Sequence, residues 1–130
     1  MSCAESDYLT GTILVVDDEP AVLEVLAQAL ETVGGYKVLC ARDGRIALEQ
    51  LKGSRVDLVL TDLHMPHMDG LQLIRHLVKV RWTIPIIAMS GGSNQREKLM
   101  DAQQLGARAS LLKPIAISQL LAMVAEHIQP

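Results

Sequence analysis

Short aliphatic runs alternate with longer segments of helical period five times along this 130-residue chain, and that alternation limits the fold more than any other feature. The runs are Thr12–Val16, Tyr36–Ala41, Val56–Leu60, Ile84–Met89 and Arg108–Leu112. Leu58-Val59-Leu60 is too short for an ordinary helix and apolar on consecutive residues, as in a strand buried on both faces of a parallel sheet. Strands separated by helices imply a parallel sheet covered by helices on both sides, with right-handed connections. Neither an internal repeat nor a low-complexity segment interrupts the pattern. The reading is one domain over residues 11–130 after a tail at 1–10.

Local signals set the expected boundaries of each helix. Pro20 suits a first helical turn, where its missing N–H costs nothing. Val22, Leu23, Val25, Leu26, Ala29, Leu30 and Val33 then follow helical spacing, and Gly34-Gly35 ends the segment. Asp43 is a candidate N-cap for a helix to about Lys52, with Ile46, Ala47, Leu48 and Leu51 available to pack inward. Pro66 breaks regular structure, and Asp69 and Gln72 have capping-box spacing. The helix they start runs to about Val80 and is expected to bury Leu71, Ile74, Leu77 and Val78. Asn94 and Glu97 are candidate caps for a fourth helix ending at Gly106. Ala116 to Ile128 is the last, with Ile117, Leu121, Val124 and Ile128 on one stripe.

Composition excludes several classes of protein. Hydrophobic residues make up 49% and charged residues 21%, so the chain can form a core and is not a disordered one. Phe is absent, so that core is aliphatic. A net charge of −3 gives no basic patch for nucleic acid. No apolar run approaches the roughly 20 residues of a membrane span, and Met1–Thr10 lacks the pattern of a signal peptide. Cys3 and Cys40 form no disulfide framework and are read as reduced thiols, which points to the cytoplasm.

Polar residues collect at the ends of the strands, where open α/β sheets bind ligands. The first run ends in Asp17-Asp18, the third in Asp62, the fourth in Ser90 and the fifth in Lys113. Each alone has an ordinary role: acids at a helix start, a turn Ser, a solvated Lys. Together, on neighbouring strands, they converge. Clustered carboxylates repel unless a cation joins them, and Mg²⁺ takes such oxygens together with water and phosphate. A metal, a Lys and a hydroxyl neutralise and orient a phosphoryl group, and one carboxylate can then act as nucleophile. His64 and His67, with no Cys nearby, are read as loop residues and not as zinc ligands; Met65 is read as loop filler.

Four motifs in order resemble the receiver domains of two-component response regulators: Val15-Val16-Asp17-Asp18-Glu19-Pro20, Asp62-Leu63-His64-Met65-Pro66-His67-Met68-Asp69-Gly70, Ala88-Met89-Ser90-Gly91, and Gly106-Ala107 with Lys113-Pro114. The resemblance covers roughly residues 11–128. It implies a flavodoxin-like, doubly wound, five-stranded parallel sheet of order 2-1-3-4-5. It also implies that Asp62 accepts a phosphoryl group from a phosphohistidine on a sensor histidine kinase or histidine phosphotransfer protein. Asp17, Asp18, Asp62 and the backbone carbonyl of His64 would hold Mg²⁺. Ser90 would hydrogen-bond the phosphoryl group, and Lys113 would pair first with Asp62 and then with the phosphate. The Lys113-Pro114 bond would be cis. Such a domain catalyses only its own phosphorylation and dephosphorylation, and signals to a downstream target that the sequence does not name.

Two positions depart from that pattern. Ser110 stands where many receivers carry Tyr or Phe, and Ile115 where Phe is common. With no ring to turn inward, the surface change is expected to come from the Gly91-Gly92 loop and to bias the fourth helix near Arg96, Glu97 and Gln103. Relay or phosphate-sink duty without a conformational output is the alternative. Two other classes fit less well. A phosphatase of the haloacid-dehalogenase type places a second Asp two residues after its nucleophile, where this chain has His64. A flavodoxin cradles phosphate in a Ser/Thr/Gly-rich loop, where this chain has Asp17-Asp18-Glu19-Pro20.

Overall fold

A computed structural model describes residues 11–65, 67–80, 83–92 and 94–128. The expected tail at 1–10, Cys3, Pro66 and Ser93 lie outside the described residues. Five strands and five helices alternate. They are β1 (Thr12–Val16), α1 (Pro20–Thr32), β2 (Lys37–Ala41), α2 (Gly44–Gly53), β3 (Leu58–Asp62), α3 (Gly70–Lys79), β4 (Ile86–Ser90), α4 (Gln95–Leu105), β5 (Ala109–Leu112) and α5 (Ile117–His127). All strand pairings are parallel, in the order β2-β1-β3-β4-β5. This is the flavodoxin-like arrangement that the motifs imply.

Side chains alternate across the sheet and divide the core in two. Ile13, Val15, Leu58, Leu60, Ile87 and Met89 pack with Leu23, Leu26 and Leu30 of α1 and with Leu120 and Val124 of α5. Leu14, Val16, Val59 and Ala88 pack on the opposite face against Ala47 of α2, Leu73, Ile74 and Leu77 of α3, and Leu99 and Ala102 of α4. Every residue of β3 and β4 is buried, so the two strands that end in Asp62 and Ser90 are the most enclosed elements. Each fully buried Leu or Ile contributes about 1.5–3 kcal/mol.

Two caps form where the sequence places them. Asp43 accepts from the amides of Arg45 and Ile46 at 2.8 and 3.0 Å. Asp69 and Gln72 form the reciprocal capping box. Asn94, by contrast, does not cap α4: it adopts a left-handed conformation (φ 60°) and its side chain makes no cap bond. A residue in that conformation turns its side chain away from the first-turn amides.

Several helix faces also differ from the expected stripes. Val25 and Val33 of the first stripe are 56% and 69% exposed. Val78 is 46% exposed, and Leu73 occupies the buried place beside Ile74 and Leu77. Ile46 is exposed, and on α5 the buried pair is Leu120 and Val124, with Ile117, Leu121 and Ile128 half-buried. These segments carry apolar residues on more than one face, so their periodicity leaves open which face meets the sheet. Strand β4 starts at Ile86 and not Ile84; Pro85 precedes it, and its carbonyl accepts from Val59 at 3.0 Å. No helix among the described residues is long and apolar enough to cross a membrane.

Candidate functional site

The carboxyl edge of the sheet brings together every residue that the sequence marks. Asp17 leaves β1 fully buried. Its Oδ1 accepts from the Glu19 amide at 3.0 Å, and its Oδ2 from Lys113 Nζ at 2.8 Å. Asp18 is half-buried beside it. Asp62 ends β3, 3% exposed, and its Oδ1 accepts from the Leu63 amide at 2.9 Å. One ligand oxygen from each of Asp17, Asp18 and Asp62 lies within 4.8 Å of the other two.

Lys113 follows β5 and is the cation of this cluster. Its Nζ lies 2.8 Å from Asp17, 3.5 Å from Asp62 and 3.8 Å from Glu19. The expected pairing with Asp62 is present, and Asp17 is a second and nearer partner. Glu19 is a member that motif spacing did not single out; its place directly after Asp17-Asp18 was the available signal. The Lys113-Pro114 bond is cis, as the resemblance implies.

The electrostatics are unbalanced toward negative charge. Burial and the charge of Asp17 raise the Asp62 carboxyl from 3.8 to about 6, although Lys113 and the Leu63 amide oppose the shift. Burial pulls the Lys113 ammonium down, but its hydrogen bond to Asp17 and the charges of Asp62, Asp17 and Glu19 hold it above its ordinary value. Ser90 Oγ is fully buried and has no hydrogen-bond partner among the described residues. A buried hydroxyl without a partner costs about 1–3 kcal/mol, and Ser90 Oγ is free to donate to a group that enters this edge. A cavity of about 550 Å³ opens over this edge, lined by Asp18, Glu19, Asp62, His64, Gly91 and Lys113 among others.

Two glycines give the site its close contacts. A Cβ on Gly70 would collide with the Asp62 carbonyl and with Leu63 Cα, so α3 can start against the end of β3 only with glycine there. A Cβ on Gly91 would stand 2.9 Å from Lys113 Cβ. Gly91 is therefore needed for room, whereas the sequence suggested only a soft loop. Gly92 sits at φ 82° with open space around it, a backbone conformation that favours glycine. Met65 packs half-buried against the core.

A doubly wound sheet with an acid cluster, a lysine and an unpaired hydroxyl at its carboxyl edge defines a receiver-type signalling domain. The sequence matches the response regulator receiver domain over residues 13–125, and the chain belongs to that family. It is 40% identical over 112 residues to the response regulator MprA of Mycolicibacterium vanbaalenii, covering 85% of this chain and 47% of that protein. It is 35% identical over 129 residues to the sensor histidine kinase RcsC of Escherichia coli K12, covering 97% of this chain and 13% of the kinase. The chain thus spans about half or less of the length of these relatives. A response regulator receiver domain from Clostridium thermocellum has a similar structure, with a TM-score of 0.84 at 28% identity over 91% of this chain and 94% of that one.

Proposed function

We propose that this domain is the phosphoacceptor of a two-component phosphorelay and that Asp62 takes the phosphoryl group. One observation carries the reading: a buried carboxylate with a raised pKa stands among Asp17, Asp18 and Lys113, under a cavity and near an unpartnered Ser90 hydroxyl. An Asp62 oxygen attacks the phosphorus of a phosphohistidine. The P–O bond forms as the P–N bond breaks, and the imidazole nitrogen leaves with the electron pair. Lys113 balances the new charge, and Ser90 donates to a phosphoryl oxygen.

The donor set fits a hard divalent cation. Three carboxylates offer oxygen within 4.8 Å of one another, and the charge of Asp17 opposes ionisation of Asp62, a cost that a cation removes. Asp17, Asp18, Asp62 and the His64 backbone carbonyl would hold Mg²⁺, which when bound neutralises phosphoryl oxygens. The partner that donates is a sensor histidine kinase or histidine phosphotransfer protein. Domains of this kind occur in longer proteins such as the two relatives above, and the downstream target belongs to that context.

Ser110 favours a second reading at the output end. With a small side chain at that position, phosphorylation changes the outer surface less than an aromatic would, which suits relay or phosphate-sink duty. The test of the main reading is incubation with acetyl phosphate and Mg²⁺. The wild-type protein should gain one acid-stable, base-labile phosphoryl group, and Asp62→Asn should gain none. Labelling that survives in the variant would assign the acceptor elsewhere.

A further inference from the structure

Between Asp62 and α3 the chain forms a loop whose His64 lines the cavity over the site. Among the described residues, nothing hydrogen-bonds the His64 carbonyl. Its place is therefore set by what holds the loop on either side. The stems are pinched together, since the Gly70 amide donates to the Leu63 carbonyl at 3.2 Å. Farther along, the loop is tied by its backbone to another part of the chain: the Gly44 amide donates to the Met68 carbonyl at 3.2 Å.

Gly44 is the first residue of α2, is buried, and lies against Met68. A Cβ added there would stand 2.7 Å from Met68 Cγ, 2.8 Å from Sδ and 3.0 Å from Cβ. The first two atoms can swing aside, but the third is fixed to the Met68 backbone, whose carbonyl is the acceptor. Alanine at this position therefore pushes the loop itself and strains the hydrogen bond. Gly44 has no positive φ, and alanine is the better helix former, so backbone freedom does not account for glycine here. What glycine supplies is room for Met68. The same seam reaches the acid cluster: Asp18, Arg42, Asp43, Ile46 and His67 line a cavity of about 280 Å³ along it.

We infer that Gly44 is a positioning residue for the metal: its amide, and the room left by its missing side chain, fix the loop that supplies the His64 carbonyl to Mg²⁺. Gly44 acts through Met68 and is not itself a ligand. This role rests on the reading of the carboxyl edge as a Mg²⁺ site.

Isothermal titration with Mg²⁺ tests the role in the whole chain, together with amide NMR of the metal-free protein. Gly44→Ala should weaken Mg²⁺ binding about tenfold, as do other changes to groups that orient a metal ligand, and should shift the His64 and Met65 amides without metal. Adding Met68→Ala removes Cγ and Sδ and should recover most of the affinity. Gly44→Pro combined with Met68→Ala should lose it again. Proline suits a first helical turn, and Asp43 before it is already extended (φ −157°, ψ 175°), but the donor to Met68 is gone. These two double variants decide the matter if Gly44→Ala alone does not fold. Val124→Ala removes core volume on the opposite face of the sheet and should bind Mg²⁺ as the wild type does, which separates lost stability from lost positioning. Wild-type affinity in Gly44→Ala, or equal affinity in the two double variants, would overturn the role of Gly44 alone. A wild-type protein that binds no Mg²⁺ would instead overturn the metal reading beneath it.

Discussion

Replacing Asp62 by Asn should make the metal-free protein more stable, and by an amount that depends on pH. Asp62 is buried, and its carboxyl is raised from 3.8 to about 6. At about 1.4 kcal/mol per pH unit, keeping it ionised in the fold costs about 3 kcal/mol relative to the unfolded chain. The sign follows from proton counts. Between about pH 4 and pH 6 the folded protein holds a proton on Asp62 that the unfolded chain has released, so stability falls as pH rises through this window. The full favourable contribution of the protonated form is present below about pH 4 and is lost above about pH 6. Asn mimics the protonated side chain at every pH. Urea unfolding in a chelator, from pH 4 to pH 8, should show the variant about 3 kcal/mol more stable at pH 7, with the gain shrinking toward zero near pH 4. For a chain of this length that corresponds to a melting temperature higher by on the order of 10 °C at pH 7. The slope against urea should not change, because the surface exposed on unfolding is the same. An Asn variant that is no more stable at pH 7, or a gain that does not shrink toward pH 4, would refute the electrostatic reasoning.

Other expectations follow from the same geometry. Mg²⁺ should raise the melting temperature of the wild-type protein, by an amount equivalent to about 2.7 kcal/mol at a hundred times its dissociation constant. Asp17→Asn should abolish that rise, and a wild-type melting temperature that stays flat across a Mg²⁺ titration would remove the metal from the account. Asp69→Ala should cost about 1 kcal/mol through loss of the capping box, measured by denaturant unfolding. Gly70→Ala should cost about 2 kcal/mol or more and should slow labelling by acetyl phosphate, because the added Cβ meets the backbone that carries Asp62. His67 sits at φ 67°, so His67→Gly should stabilise the fold by about 1 kcal/mol in the same unfolding assay.

Much of this protein was legible in its sequence because the signals are local. A strand buried on both faces shows as Leu58-Val59-Leu60, a cap as Asp69 with Gln72, and a strand end as an acid that follows an apolar run. Counting strand ends was enough to bring Asp17, Asp18, Asp62, Ser90 and Lys113 to one edge, since every parallel strand points its carboxyl end the same way. Tertiary structure alone decided the rest. Which face of α5 is buried depends on how the helix lies on the sheet, and a segment with apolar residues on several faces does not announce that choice; hence Leu120 and not Leu121. The preference of Lys113 for Asp17, and the rise of the Asp62 pKa, come from burial and from distances between residues far apart in the chain. The Gly44–Met68 contact and the collision that Gly70 avoids arise the same way, because a close approach is a property of two surfaces after packing and leaves no periodic trace in either.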